Sequence, residues 1–265
     1  MATVLLPESP ARRPAAGPTT MATVIAELAR VLQEAATAAF PPARLARVDG
    51  WWLRHADTPD WWNASVLPHG PVPRHALADR ITRAERFYPG PAAFQISPAA
   101  TPGLDAALTE RGYRRDGEIS LQTAPVVAPP PRAFPVRLSN TPDDDWFATW
   151  SAMHSTPGAE LDQRARLARI AHPTAYVSVL DDLGVIAVGR AVRTDGWTGV
   201  YGMATVPRAR GRGTAHQVLA ALSAWAGTPL FLQVELRNAP ALLLYARTGF
   251  TERYRYHFRR QTPGT

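Results

Sequence analysis

Apolar residues recur along this chain with two periods, and the switches between them mark its elements. Over residues 22–40, Val24, Leu28, Leu32 and Ala35 fall at helical spacing until Pro41-Pro42 end the run. Residues 47–55 and 61–67 read as paired strands across the turn Asp57-Thr58-Pro59-Asp60. A helix is expected over 73–87, a strand over 92–97, a helix over 102–111 and a strand from Gly112-Tyr113 to Thr123. The second half opens with a strand over 134–138 and helices over 143–154 and 159–171. Asp143-Asp144-Asp145 suits the positive end of the first of these helices. Strands follow over 175–180, 185–193 and 198–206, joined by the turn signals Asp181-Asp182-Leu183-Gly184 and Asp195-Gly196. Ala215, Val218, Leu219, Leu222, Trp225 and Ala226 then form the apolar stripe of a core-facing helix. The run 230–236 is apolar almost throughout, as in a strand covered on both faces. Asn238 caps a helix over 239–248, Gly249 ends it, and 250–259 is the last strand.

The pattern divides the chain. Residues 1–20 are rich in Pro, Ala and Thr without periodicity and read as a flexible extension, and the recurrence of MATV at Met21 leaves two possible starts. Residues 124–133 carry three consecutive prolines and read as a stiff linker between a lobe at 21–123 and a lobe at 134–265. The lobes echo each other. Phe94-Gln95-Ile96, a helix, Arg111-Gly112-Tyr113 and a strand parallel Leu232-Gln233-Val234, a helix, Thr248-Gly249-Phe250 and a strand.

Composition narrows the function. The chain has 265 residues and no cysteine, which removes disulfides, thiolate metal sites and a cysteine nucleophile. Seven histidines scattered without an HxxxH-type pair give a metal site little support, and no apolar run is long enough to span a bilayer. A cytoplasmic protein, monomeric or homodimeric, is the expectation. All 29 basic residues are arginine and the net charge is +7, which fits either biased composition or an anionic partner. No aromatic RNA-binding pattern or helix-turn-helix is present, so an anionic small molecule is the smaller claim. The four tryptophans Trp51, Trp52, Trp61 and Trp62 read as core rather than as a ligand platform.

The chemistry concentrates in Arg210-Gly211-Arg212-Gly213-Thr214-Ala215, between a strand and a helix. A helix start leaves N–H groups unpaired and carries partial positive charge. Glycines let an anion approach those donors, and two arginines add full charge. The loop lacks the Lys-Ser/Thr of a nucleotide-hydrolysing P-loop and the spaced glycines of a dinucleotide fold. Taken alone it is either a pyrophosphate cradle or a basic helix-start loop. The first lobe has Pro71-Val72-Pro73 at the matching place, and proline has no N–H to offer.

With Asn238, Ala241, Tyr245, Gly249 and Phe250 spaced as Asn-x-x-Ala-x-x-x-Tyr-x-x-x-Gly-Phe, the glycine loop makes residues 134–260 resemble the GNAT acetyltransferase superfamily. The first lobe resembles that of bacterial tandem members. The resemblance implies an α/β (α+β) fold, a mixed central sheet flanked by helices, preceded by a smaller degenerate lobe of the same kind. It implies acetyl-CoA as co-substrate, no metal, and direct attack by a small-molecule or peptide amine. Backbone groups of Arg210, Gly211, Arg212, Gly213, Thr214 and Ala215 would hold the pyrophosphate, with Asn238 contributing to the cofactor site. Met203, Ala204 and Thr205 would pair with the pantetheine arm and polarise the thioester. Tyr245 would protonate the leaving thiolate, unless Tyr245 and Phe250 are only core aromatics. Some relatives carry a glutamate where this chain has Gln233, so Glu235, on the same strand face, becomes the expected base or else an arginine's partner. The rival reading is a CoA-binding regulatory protein with decayed catalysis.

Overall fold

Thr20 turns the chain into its first helix, its hydroxyl accepting the N–H of Thr23 at 3.2 Å. The computed structural model describes residues 20–56, 62, 64–131, 134–154 and 160–261. All but one residue of the expected N-terminal extension, together with Trp61 and the last two residues of the expected linker, lie outside them. The first half runs α1 (Met21–Ala39), β1 (Arg44–Val48), β2 (Trp51–His55), β3 (Val66–Pro68), α2 (Leu77–Glu85), β4 (Ala93–Ile96), α3 (Leu104–Glu110) and β5 (Arg114–Ala124). The second runs β6 (Val136–Ser139), α4 (Asp144–His154), α5 (Glu160–Ala168), β7 (Thr174–Asp181), β8 (Gly184–Thr194), β9 (Trp197–Thr205), α6 (Thr214–Ala226), β10 (Leu230–Glu235), α7 (Ala239–Arg247) and β11 (Thr251–Arg260).

One expected element is corrected. Residues 47–55 are not a single strand: Asp49 and Gly50 take φ of 47° and 90°, and β1 folds back on β2 with Val48 opposite Trp51. Two residues at positive φ match the twist of a tight hairpin, and Asp-Gly is its usual sequence. Of the strand expected over 61–67, Val66 and Leu67 lie in β3, which pairs with β2 through Trp51 and Pro68, and Trp61 and Asn63 lie outside the described residues. Trp51 is fully buried, its indole N–H donating to Thr101 Oγ1 at 2.9 Å, so this tryptophan is core.

The eleven strands among the described residues form one sheet in the order β1-β2-β3-β4-β11-β5-β10-β9-β8-β7-β6. The two halves of the sequence interlock. Strand β5 of the first half lies between β10 and β11 of the second, antiparallel to both, with Ile119 opposite Glu235 on one side and Tyr256 on the other. Strand β11 in turn pairs with β4. The last strand of the first half is therefore a central strand of the second.

Alternation along the strands builds a core on each face. On β8, Ala187 and Ala191 face α6 with Val218 and Leu222, while Val188 faces α4 and Val192 faces α1. Helix α6 comes close because residue 189 is glycine: a Cβ there would sit 2.6 Å from Met203 Sδ and 2.7 Å from Val218 Cγ1. On the opposite face Arg190 is buried, donates to Ala39 O at 2.9 Å, and lies between the rings of Phe40 and Tyr201 at 4.8 and 5.0 Å. That contact fastens the end of α1 to the second half.

The placement of β5 generates a prediction. Residues 134–265 expressed alone lack the strand that pairs β10 to β11. They should show no cooperative urea transition and weak near-ultraviolet circular dichroism, whereas a fragment beginning at residue 112 should recover both. A cooperative transition in the shorter fragment would contradict the shared-strand account.

Candidate active site

Strands β9 and β10 are parallel neighbours for only two residue pairs, Thr198 with Leu230 and Gly199 with Phe231. Beyond them β9 follows β8 to Thr205, and β10 follows β5 to Glu235. A wedge opens between them. A bulge helps to part them: β8 advances two residues from Val188 to Arg190 while β9 spans three from Ala204 to Tyr201, and Gly202 takes φ of 62°. The isolated glycine in a strand pattern was the available signal for this bulge. Met203, just past it, turns its side chain toward α6, and its carbonyl accepts the His154 Nε2–H at 3.0 Å.

The glycine loop closes one end of the wedge. Gly211 and Gly213 take φ of 74° and 81°, and a Cβ on either would meet nothing within 4 Å. Backbone conformation, not crowding, calls for glycine here, and the space in front stays open. The first intrahelical bond of α6 runs from Gln217 N to Gly213 O at 3.0 Å, so the N–H groups of Thr214, Ala215 and His216 have no partner within the helix. No acidic residue stands in that first turn. The Thr214 side chain is buried, so it can offer only its N–H. Arg208 and Arg212 both pair with Asp181 in the β7–β8 turn, Arg212 at 3.5 Å. The Arg208 hydrogen bond holds the Asp181 carboxyl below the usual carboxylate range. Arg210 forms no ion pair among the described residues. The loop offers backbone donors and positive charge, the donor set an anion requires.

Helix α7 carries Tyr245 along the same core face. Asn238 Oδ1 accepts the Ala241 N–H at 3.2 Å, so this oxygen, expected near a cofactor, serves as the helix cap. At the other end Phe250 N donates to Tyr245 O at 2.9 Å, Gly249 N donates to Ala246 O at 3.3 Å, and Gly249 takes φ of 88°. This is a Schellman ending, and the Phe250 ring packs on Tyr245 at 5.7 Å as its apolar contact. The Tyr-x-x-x-Gly-Phe spacing thus fixes the tyrosine's own backbone carbonyl. Tyr245 is buried, yet its hydroxyl makes no hydrogen bond among the described residues; desolvation pushes its pKa up to about 12. Glu235 and Gln233 lie on the opposite face. Gln233 Oε1 accepts from Tyr256 at 2.6 Å, and Glu235 is taken by Arg237 Nε. Tyr245 shares one core with Met203, Val206 and Val218, whereas Glu235 projects from the other face of β10 and pairs with Arg237. No group of three metal-binding side chains stands together among the described residues, and none of their helices is long and apolar enough to cross a membrane.

A family model described as "Probable histone acetyltransferase Rv0428c C-terminal" matches residues 26–259. The chain belongs to this acetyltransferase family. An uncharacterized N-acetyltransferase of Bacillus subtilis, YobR, is 26% identical over 245 residues, covering 85% of this chain and 96% of that one. A GCN5-related N-acetyltransferase from Kribbella flavida aligns with TM-score 0.66 at 17% identity over 91% of this chain and 96% of the other. A tandem GNAT protein from the clavulanic acid biosynthesis pathway aligns with TM-score 0.61 at 13% identity over 88% and 89%. The fold is the mixed GNAT sheet flanked by helices, in its tandem form.

In this acetyltransferase the first lobe repeats the α7 cap without its chemistry. Tyr113 N donates to Leu108 O and Gly112 N to Thr109 O, both at 3.0 Å, so Leu108 stands where the second lobe has Tyr245. Strands β3 and β4 also diverge after one pair, Val66 with Phe94. That gap is filled. Gln33 of α1 donates to Gln95 Oε1 at 3.1 Å and its own Oε1 lies 3.0 Å from both His69 Nε2 and Ser97 Oγ. Thr101 N donates to Pro68 O at 2.8 Å. The first wedge is stitched shut by side chains, while the second has no such plug among the described residues.

Two substitutions test the α7 frame. Gly249→Ala places a Cβ at left-handed φ and should cost about 1–2 kcal/mol in urea unfolding. Asn238→Ala removes the cap and should cost about 1 kcal/mol. Values near zero for both would mean that α7 is held by packing alone.

Proposed function

We propose that this acetyltransferase moves the acetyl group of acetyl-CoA to a primary amine by direct attack, without an acyl-enzyme. The observation that carries the reading is the open wedge between β9 and β10, flanked by an anion-ready helix start and by Tyr245. The N–H groups of Gly211, Gly213, Thr214 and Ala215 would receive the pyrophosphate, with Arg210 and Arg212 adding charge and Asp181 holding Arg212 in place. Backbone groups of Met203, Ala204 and Thr205 would pair with the pantetheine arm, Met203 through its N–H because His154 takes its carbonyl. N–H donors there would stabilise charge developing on the thioester oxygen. Tyr245, fully protonated near neutral pH, would give its proton to the departing thiolate. Asn238 would border the arm only through groups its cap leaves free. The acceptor is a small-molecule or peptide amine, and the word histone in the family model's description makes a lysine-bearing peptide one member of any acceptor panel.

Thermal shift with acetyl-CoA, followed by free-thiol release over amino acids, polyamines, aminoglycosides and lysine peptides, tests the reading. A shift without thiol release for any amine would favour the rival, a CoA-binding protein without catalysis. Gly213→Glu places a carboxylate in the cradle and should abolish acetyl-CoA binding by calorimetry; unchanged affinity would remove the loop from the site. Tyr245→Phe should keep that affinity and slow turnover by roughly 10²–10⁴-fold. A loss below about tenfold would leave Tyr245 a packing role.

A further inference from the structure

The amine acceptor arrives as an ammonium near neutral pH and must lose a proton before it can attack. Glu235, the carboxylate on the β10 face, is engaged by Arg237. Another group stands at the bulge. His154 is the last residue of α4, and its Nε2 lies 3.0 Å from Met203 O. A carbonyl only accepts, so the ring carries its proton on Nε2, and the neutral imidazole keeps a lone pair on Nδ1. Among the described residues nothing donates to that Nδ1. One turn earlier Trp150 lies against the same bulge: a Cβ on Gly202 would sit 2.9 Å from its Nε1. Trp150 stacks on Trp146 at 5.8 Å and supports the His154 ring at 5.9 Å. The imidazole is therefore oriented by a backbone bond and an aromatic wall, and the residue reaches solvent.

We propose that His154 is the general base of the acetyl transfer, its Nδ1 taking the proton of the incoming ammonium beside the β9 bulge. The inference rests on the acetyl-CoA reading given above. The ammonium gives one proton to Nδ1, and His154 later releases it to solvent. The amine nitrogen then forms the C–N bond as the C–S bond breaks. The thiolate takes the Tyr245 proton, and the second proton shed by the acylated nitrogen restores the phenol. The ring's surroundings suit a base. Packing around it pushes the His154 pKa below that of an ordinary histidine, opposed in part by the Met203 bond, so it is neutral at pH 7. Charges on the neighbouring elements are directed elsewhere: Arg190 of β8 reaches Ala39 O, and Arg164 of α5 pairs with Asp144 at 3.0 Å. The phenols Tyr176 of β7 and Tyr201 of β9 are buried and protonated, their pKa values raised by desolvation.

His154→Gln keeps an amide N–H able to reach Met203 O and removes the base. With the best amine of the acceptor panel, it should lower kcat/KM at pH 7 by roughly 10²–10⁴-fold. Acetyl-CoA affinity and melting temperature should stay unchanged. The acidic limb should move up from the His154 range to the amine's own pKa, so that the deficit shrinks as pH rises, and added imidazole should restore part of the rate. An unchanged pH–rate profile at near wild-type rate would overturn the proposal, as would an acidic limb that moves up in Glu235→Gln but stays in place in His154→Gln. A second readout needs no turnover. In ¹⁵N NMR of the free protein, His154 should be the Nε2–H tautomer and titrate below an ordinary histidine; the Nδ1–H tautomer would overturn the assignment. Wild-type protein that releases no thiol with any amine, while showing the expected tautomer, would locate the failure in the acetyl-transfer reading.

Discussion

The proposed site depends on two parallel strands that stop pairing. Strands β9 and β10 hold each other for two residues and then each follows its outer neighbour. Backbone groups released from a ladder inside a protein need new partners, so such a gap is stable only if something fills it. In the first lobe Gln33, His69, Ser97 and Thr101 fill the matching gap from the protein itself. In the second lobe the gap lies between an anion-ready helix start and Tyr245, and acetyl-CoA is the filler we propose for it. The same topology thus gives a plugged wedge and an open one.

The shared strand joins the two lobes into one sheet. Strand β10 can leave β9 and stay in the sheet because β5 holds its other edge for six residue pairs. That strand comes from the first half of the chain, and Arg190 adds a buried fastening between α1 and β8. The family model runs across both halves, from residue 26 to 259, as expected if neither half completes its sheet alone. The plugged lobe serves the open one by supplying a strand and a helix.

Much of this was legible in the sequence because it is written in local chemistry. Helix stripes, turn residues and the Asn238 and Gly249 caps act within a few positions, so the elements of the second half fall close to where periodicity puts them. The Tyr245–Gly249–Phe250 spacing was legible as a motif, and the Schellman ending is its physical content. The hairpin at Asp49-Gly50 was missed because a run of apolar and basic residues on both sides hid a two-residue turn. The insertion of β5 between β10 and β11 was invisible: strand order is set by long-range pairing, and a proline-rich linker after β5 reads as a boundary regardless of where β5 pairs. The proximity of His154 to Met203 is of the same kind, since 49 positions separate them and no motif joins them. Glu235 was reached by strand parity with Gln233, and of its two expected roles the arginine's partner is the one that Arg237 fills.

The central claim is that acetyl-CoA occupies the second wedge and leaves the first one plugged. Hydrogen–deuterium exchange with and without saturating acetyl-CoA measures both at once. The account predicts slowed exchange at the amides of residues 201–206 and 211–216, with no change at residues 66–72 and 97–101. Protection in the first lobe, or none along β9 beyond the bulge, would contradict it.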